Sequence, residues 1–193
     1  MLRIRIIYLA LVAVFALSAV AASSAVAVPH FRTSHIGAIL GTGGEQVFTD
    51  EAGGTPVKCT AAHATGNAEA LEETVTKQLV LYTGCKASID TVHQIHATYL
   101  IHANGEVDID GPIAIKVEGI GACEIVVEAQ KGLKELLFDN NAAKTEITAL
   151  AHVGGIKSKG SGGLCGGSHT GGTYTGNVTS KLVEVGELEW VKS

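Results

Sequence analysis

Three histidines, His93, His96 and His102, fall in the stretch TVHQIHATYLIH (91–102). Imidazoles at that density suggest a zinc site or a general base. In an extended strand His93, Ile95, Ala97, Tyr99 and Ile101 share one face, and Gln94, His96, Thr98, Leu100 and His102 share the other. His93 then points away from His96, and six residues at about 3.3 Å each hold His96 and His102 roughly 20 Å apart. Zinc needs its ligand nitrogens about 2 Å away, so one straight strand cannot bring two of the three to one metal. Parity leaves His93 alone on the apolar face, with partners only from other strands, such as His63 or His152.

Two more stretches carry chemistry-bearing residues. EVDIDG (106–111) resembles the front of a calcium loop, with Glu106, Asp108 and Asp110 alternating before Gly111. An EF-hand needs a bidentate Glu at its twelfth place, which here is Val117, one residue before Glu118. The plainer reading is the solvated face of a strand ending at a Gly-Pro turn. GGSHTGG (166–172) sets Ser168 beside His169, but adjacent residues of an extended chain point to opposite sides. The place of the second Gly in G-x-S-x-G is taken by Thr170, and no Gly-Lys-Ser/Thr follows for a phosphate loop. Asn177-Val178-Thr179 fits the N-glycosylation pattern and reads more simply as a strand triplet.

The chain ends and cysteines say where such residues would work. Arg3 and Arg5 precede an apolar run from Ile6 to Ala22, and Ala25-Val26-Ala27 fits a signal-peptidase site. A signal peptide over 1–27 and one mature domain over 28–193 are expected, with export to the extracellular space. Losing the two arginines takes the formal net charge two units below −5 and leaves Arg32 as the last arginine. An acidic surface without guanidinium forks suits neither nucleic acid nor an anionic membrane. Cys59, Cys85, Cys123 and Cys165 form an even set with no two close enough in sequence for a zinc knuckle, so disulfides are expected. Of three possible pairings, the sequence-neighbour one, Cys59–Cys85 with Cys123–Cys165, is favoured.

The positioning elements read as strands. Val107, Ile109, Ile113, Ile115 and Val117 alternate against Glu106, Asp108, Asp110, Lys116 and Glu118. Cys123, Ile125 and Val127 share a face, as do Ile147, Ala149, Ala151 and Val153, and Tyr174, Val178 and Leu182. By the same parity Val57, Cys59 and Ala61 face inward, and so do Val75, Leu79, Leu81 and Cys85. Residues 67–79 carry good helix formers and admit one helical turn, while 154–172 reads as a long Gly-rich loop tethered at Cys165. About nine or ten short strands predict a mainly β fold, an antiparallel sandwich or barrel-like domain with two disulfides. Two tandem β lobes, 45–118 and 119–193, are the alternative. Tyr82-Thr83-Gly84-Cys85 and Tyr174-Thr175-Gly176-Asn177 form a short echo between the halves.

Several short motifs together resemble an uncharacterised group of exported bacterial β-rich proteins with four cysteines. They are His30-Phe31, Val47-Phe48-Thr49, Val57-Lys58-Cys59, Tyr82 to Cys85, Cys123 to Gln130, and the Gly-rich cysteine loop running into GTYTGNVT (172–179). The resemblance covers roughly 30–180 and implies export, β structure and paired cysteines; HQIHATYLIH and DIDG depart from it. It carries no function.

The function expected is a non-catalytic extracellular binding or structural module, without a cofactor. Its partner would be an unidentified ligand or surface, met by outer faces rich in Thr, Glu and Lys. The alternative is a secreted, metal-assisted hydrolase using His63, His93, His96 or His152 with Asp108 or Asp110. Asp108, Asp110, His93 and His96 are the weak metal candidates, with a calcium-stabilised module as a third reading.

Overall fold

Every secondary element in the computed structural model, which describes residues 27–51, 54–119, 122–162 and 165–192, is a β-strand. In chain order they are β1 His30–Thr33, β2 Gly37–Gly43, β3 Gln46–Thr49, β4 Val57–Cys59, β5 Ala61–Ala68, β6 Glu72–Glu73, β7 Val75–Thr83, β8 Lys86–Ala87 and β9 Asp90–Val92. There follow β10 Ile95–His102, β11 Val107–Ile109, β12 Ile113–Glu118, β13 Cys123–Val127, β14 Gln130–Leu133, β15 Leu136–Asn140, β16 Glu146–Ser161, β17 Gly167–Leu182 and β18 Leu188–Val191. Apart from Ala27 the expected signal peptide lies outside the described residues. Among the described residues no helix is long and apolar enough to cross a membrane.

These segments form a closed eight-stranded antiparallel barrel with extra strands. One end of the barrel runs β17-β3-β4-β8-β9-β12-β13-β16 and back to β17. At the other end the wall continues as β15-β16-β17-β2-β5-β7-β10-β11-β14. Apart from β15, which is added at the second end, the two ends are the same eight strands. β2 runs on into β3, β4 into β5, β7 into β8, β9 into β10, β11 into β12 and β13 into β14, each through a short corner, while β16 and β17 span both ends unbroken. Sequence neighbours are spatial neighbours all round, which is an up-and-down meander. β12 and β13, either side of the 118/119 division, pair directly in one wall.

The corners explain where inward parity departs from the sequence reading. Gly84 (φ +63°) turns the chain between β7 and β8, and a methyl group there would lie 2.2 Å from Thr60 Oγ1 in the facing corner of β4 and β5. Across these corners the alternation shifts by one residue. Cys59 and Cys85 point inward as expected, but above them the buried residues are Ala62 and Ala64 rather than Ala61, and Gln78, Val80 and Tyr82 rather than Leu79 and Leu81. Leu79 is exposed.

Two other expectations are corrected. Residues 67–79 form no helix: β5 ends, β6 intervenes and β7 begins, with the backbone N–H groups of Glu69 and Ala70 donating to Glu73 Oε1. Three glutamates crowded into that stretch disfavour a helical turn that would stack them. Residues 154–172 are mostly strand, because β16 and β17 pair along nearly their whole lengths and β13 and β3 flank them. The glycines absorb irregular register near Val153, Ile156 and Ser158, where Gly155 takes φ +73°.

Disulfides Cys59–Cys85 and Cys123–Cys165 form as expected. A three-stranded sheet, β18-β1-β6, covers the β15 end, where Phe31 meets Phe138 edge to face and Phe138 lies tilted against Trp190. Buried Glu189 pairs there with Arg32 and with Lys144 at 2.8 Å. Lys144 draws its carboxyl below the usual range, burial opposes this, and Arg32 adds to the lowering.

Candidate functional site

The opening histidines disperse. β10 begins at Ile95, so His93 stands before the strand, its side chain 56% exposed and 2.6 Å from Glu118. It is not the core residue that parity placed on the apolar face, because the corner between β9 and β10 interrupts the alternation. His96 is exposed on the outer face, and His63 stands two strands away across Leu81. His152 is exposed on β16. His102 Nε2 lies 3.2 Å from Asp108 Oδ2.

Asp108 is the second correction. It is 8% exposed rather than solvated, and its Oδ1 accepts a hydrogen bond from Gly132 N at 2.7 Å. β14 pairs alongside β11 with an irregular register opposite Asp108, and this brings the Gly132 amide onto the carboxylate. Burial works against its ionisation, but the Gly132 amide and His102 outweigh it and hold the carboxyl below its ordinary range. Asp110 pairs with Lys77 at 2.8 Å. Among the described residues no three His, Cys, Asp or Glu side chains gather where they could share a metal ion. Ser168 and His169 sit on β17, and His169 turns to Glu51 at 3.0 Å and Asp50 at 3.8 Å. Asn177 lies on β17 with its carbonyl committed to Gln46.

The polar groups that do converge lie inside the barrel, at its waist. Tyr82 Oη is 2.9 Å from Tyr99 Oη and 3.3 Å from Tyr174 Oη. Tyr174 donates to Gln46 Oε1, and Gln46 Nε2 donates to the carbonyls of Asn177 (2.8 Å) and Gly44 (3.2 Å). Gln46, 2% exposed, is seated by two glycines: a methyl group at Gly176 would lie 1.8 Å from its Oε1, and one at Gly43 2.8 Å from its Nε2. Desolvation pushes Tyr99 up to about 12 and raises Tyr82 and Tyr174 well above the ordinary phenol, so all three stay neutral donors.

This waist separates two apolar compartments. The larger, 140 Å³, lies towards the β1-β6-β18 cap, among Ile39, Ala64, Val80, Ile101, Ala149 and Val178. The smaller, 70 Å³, lies among Val57, Ile95, Ile113, Ile115, Val127 and Ile156. Tyr82, Tyr99 and Tyr174 border both. The larger space exists because inward positions of β2, β5, β16 and β17 carry Gly, Ala or Ser where branched side chains would otherwise fill the barrel. Glu73 is the one charged residue on its wall among the described residues.

No family model, curated protein or solved structure matches the chain.

The interior residues carried little sequence signal. Gln78, 8% exposed on the cavity wall, sat on the parity assigned to solvent until the Gly84 corner reversed it. The Tyr-Thr-Gly echo was the one available clue: its two tyrosines, Tyr82 and Tyr174, are hydrogen-bonded neighbours with rings 6.2 Å apart.

Proposed function

We propose that this is an exported, non-catalytic binding module whose site is the barrel interior. Its ligand is a small apolar molecule held in the compartment beneath the cap. The observation that carries the reading is the 140 Å³ apolar cavity lined by an eight-stranded meander. Barrels of eight strands are either filled by their own side chains or hold one small ligand, and here the inward alanines and glycines leave room. Export is supported by the basic, apolar and small-residue pattern of residues 3–27 and by the two disulfides. The resemblance to exported bacterial β-rich proteins points the same way. The contact surface thus moves from the outer Thr, Glu and Lys faces, where the sequence put it, to the core.

Toluene is a suitable first probe because it is apolar and small enough for the space. Its binding to the purified protein should raise Tm with concentration, as mass action requires, and shift amide resonances of β5, β7 and β16. Ala149→Ile, which fills the cavity, should abolish both effects. A wild-type protein whose Tm and spectrum are indifferent to saturating toluene and to saturating phenol alike would rule the reading out.

A further inference from the structure

Among the described residues two glutamines are buried, Gln46 at the waist and Gln78 on the wall of the larger compartment, and they differ in one respect. Every polar atom of the Gln46 side chain is used. Gln78 has its Nε2 3.4 Å from Thr76 Oγ1, while its Oε1 is cut off from solvent and accepts no hydrogen bond. His35 Nε2 and Ser158 Oγ are also buried without partners, but neither borders the two interior compartments; Gln78 lines the larger one. Its seat is made for it. A methyl group at Gly66, on the neighbouring strand β5, would lie 2.6 Å from Gln78 Nε2.

A second acceptor borders the same cavity. Gln78 on β7 is directly opposite Tyr99 on β10, and both line the cavity. The tyrosine protons can be followed in order. Tyr174 spends its proton on Gln46, Tyr82 spends its proton on Tyr174, and so the Tyr99–Tyr82 bond must use the Tyr99 proton. Tyr99 therefore ends the chain with an oxygen that receives nothing. Leaving such atoms unpaired inside an apolar space is costly, and a ligand that supplies the missing donor relieves that cost. The cavity size sets the rest of the ligand: a 150 Å³ apolar void accommodates benzene, and this one is 140 Å³.

We infer that the compartment takes a neutral ligand of about one six-membered ring, whose hydroxyl or amino group donates to the acceptor pair of Gln78 Oε1 and Tyr99 Oη. The ring packs among Ile39, Val80, Ile101 and Val178. This rests on the interior being the binding site, and it adds the polarity of the ligand's head: a donor, not an acceptor and not an ion.

Phenol, toluene and anisole separate the possibilities, because toluene copies the shape of phenol without the donor and anisole can only accept. Affinities are measured by calorimetry on the purified protein, wild type and Gln78→Met. The phenol-to-toluene affinity ratio should fall about tenfold in Gln78→Met, with toluene binding retained. Tyr99→Phe should lower the same ratio, and it provides the measurement if Gln78→Met does not fold. An unchanged ratio in the variants, or anisole binding to wild type as phenol does, overturns the donor assignment while leaving the interior site standing. Failure of toluene and phenol alike to bind wild type overturns both.

Discussion

At Gly176 a methyl group would sit 1.8 Å from Gln46 Oε1, and at Gly43 2.1 Å from the Asn177 carbonyl oxygen. Neither clash can be relieved by a flexible side-chain tip, since Gln46 is hydrogen-bonded at both ends of its amide and the other obstacle is backbone. Gly44, next along the chain, has nothing within 4 Å of the same position. Gly176→Ala should therefore cost about 3 kcal/mol by forcing the waist apart, while Gly44→Ala should change stability by less than about 0.5 kcal/mol. Urea unfolding of the two variants checks this, and equal midpoints would show that Gln46 is not seated as described. At this scale the sequence was partly legible. The cysteine count implied two disulfides, the neighbour pairing favoured among three is the one that forms, and His96 and His102 stand near opposite ends of β10. His93 and Asp108 were misplaced because a corner and an irregularly paired neighbouring strand, both tertiary events, decided their exposure.

The strands behave as bent units, and the bends decide what faces the core. Local alternation named the inward face of β12, where Ile113, Ile115 and Val117 are buried, because that strand is straight. It named the wrong face of β7, because the run was counted back from Cys85 through Gly84, where positive φ breaks the period. The reversal puts Tyr82 inside, within reach of Tyr99 and Tyr174. Of the four tyrosines in the chain, Tyr8 falls in the expected leader, so the form cut after Ala27 has all its phenols in this relay. Their folded values are raised above the ordinary value of 10.0, Tyr99 to about 12. A phenol that ionises more readily when unfolded stabilises the fold fully below pH 10 and loses that contribution as pH rises from 10 towards the folded value. Tyrosinate absorbance of the folded protein should stay absent through pH 10 and then grow in step with the loss of circular dichroism. Ionisation near pH 10 with the fold intact would mean that the relay is open to water.

For the whole molecule, the alternating pattern announced β structure and a barrel or sandwich but could not order the strands, since periodicity says which face is apolar and nothing about which neighbour lies beside it. Nor could it reveal the void, because inward Ala and Gly read as apolar core as readily as Val does. Yet the void is the feature that sets the molecule's response to pressure. Native voids disappear on unfolding, and unfolding volumes scale with them, from about −20 to −100 mL/mol. The 140 Å³ cavity is lost on unfolding, so this protein's unfolding volume should lie towards the far end of that range. Ala149→Ile adds three carbons to the cavity from a strand position that favours a branched side chain. It should shrink the unfolding volume by tens of mL/mol and raise stability by about 2 kcal/mol. Leu137→Ala, on the exposed face of β15, should leave the volume alone. High-pressure fluorescence of the single Trp190, whose indole N–H donates to Ala103 O at the cap, reports the transition. Equal unfolding volumes for wild type and Ala149→Ile would mean that the space closes by side-chain motion in solution, and the barrel would then be a filled one.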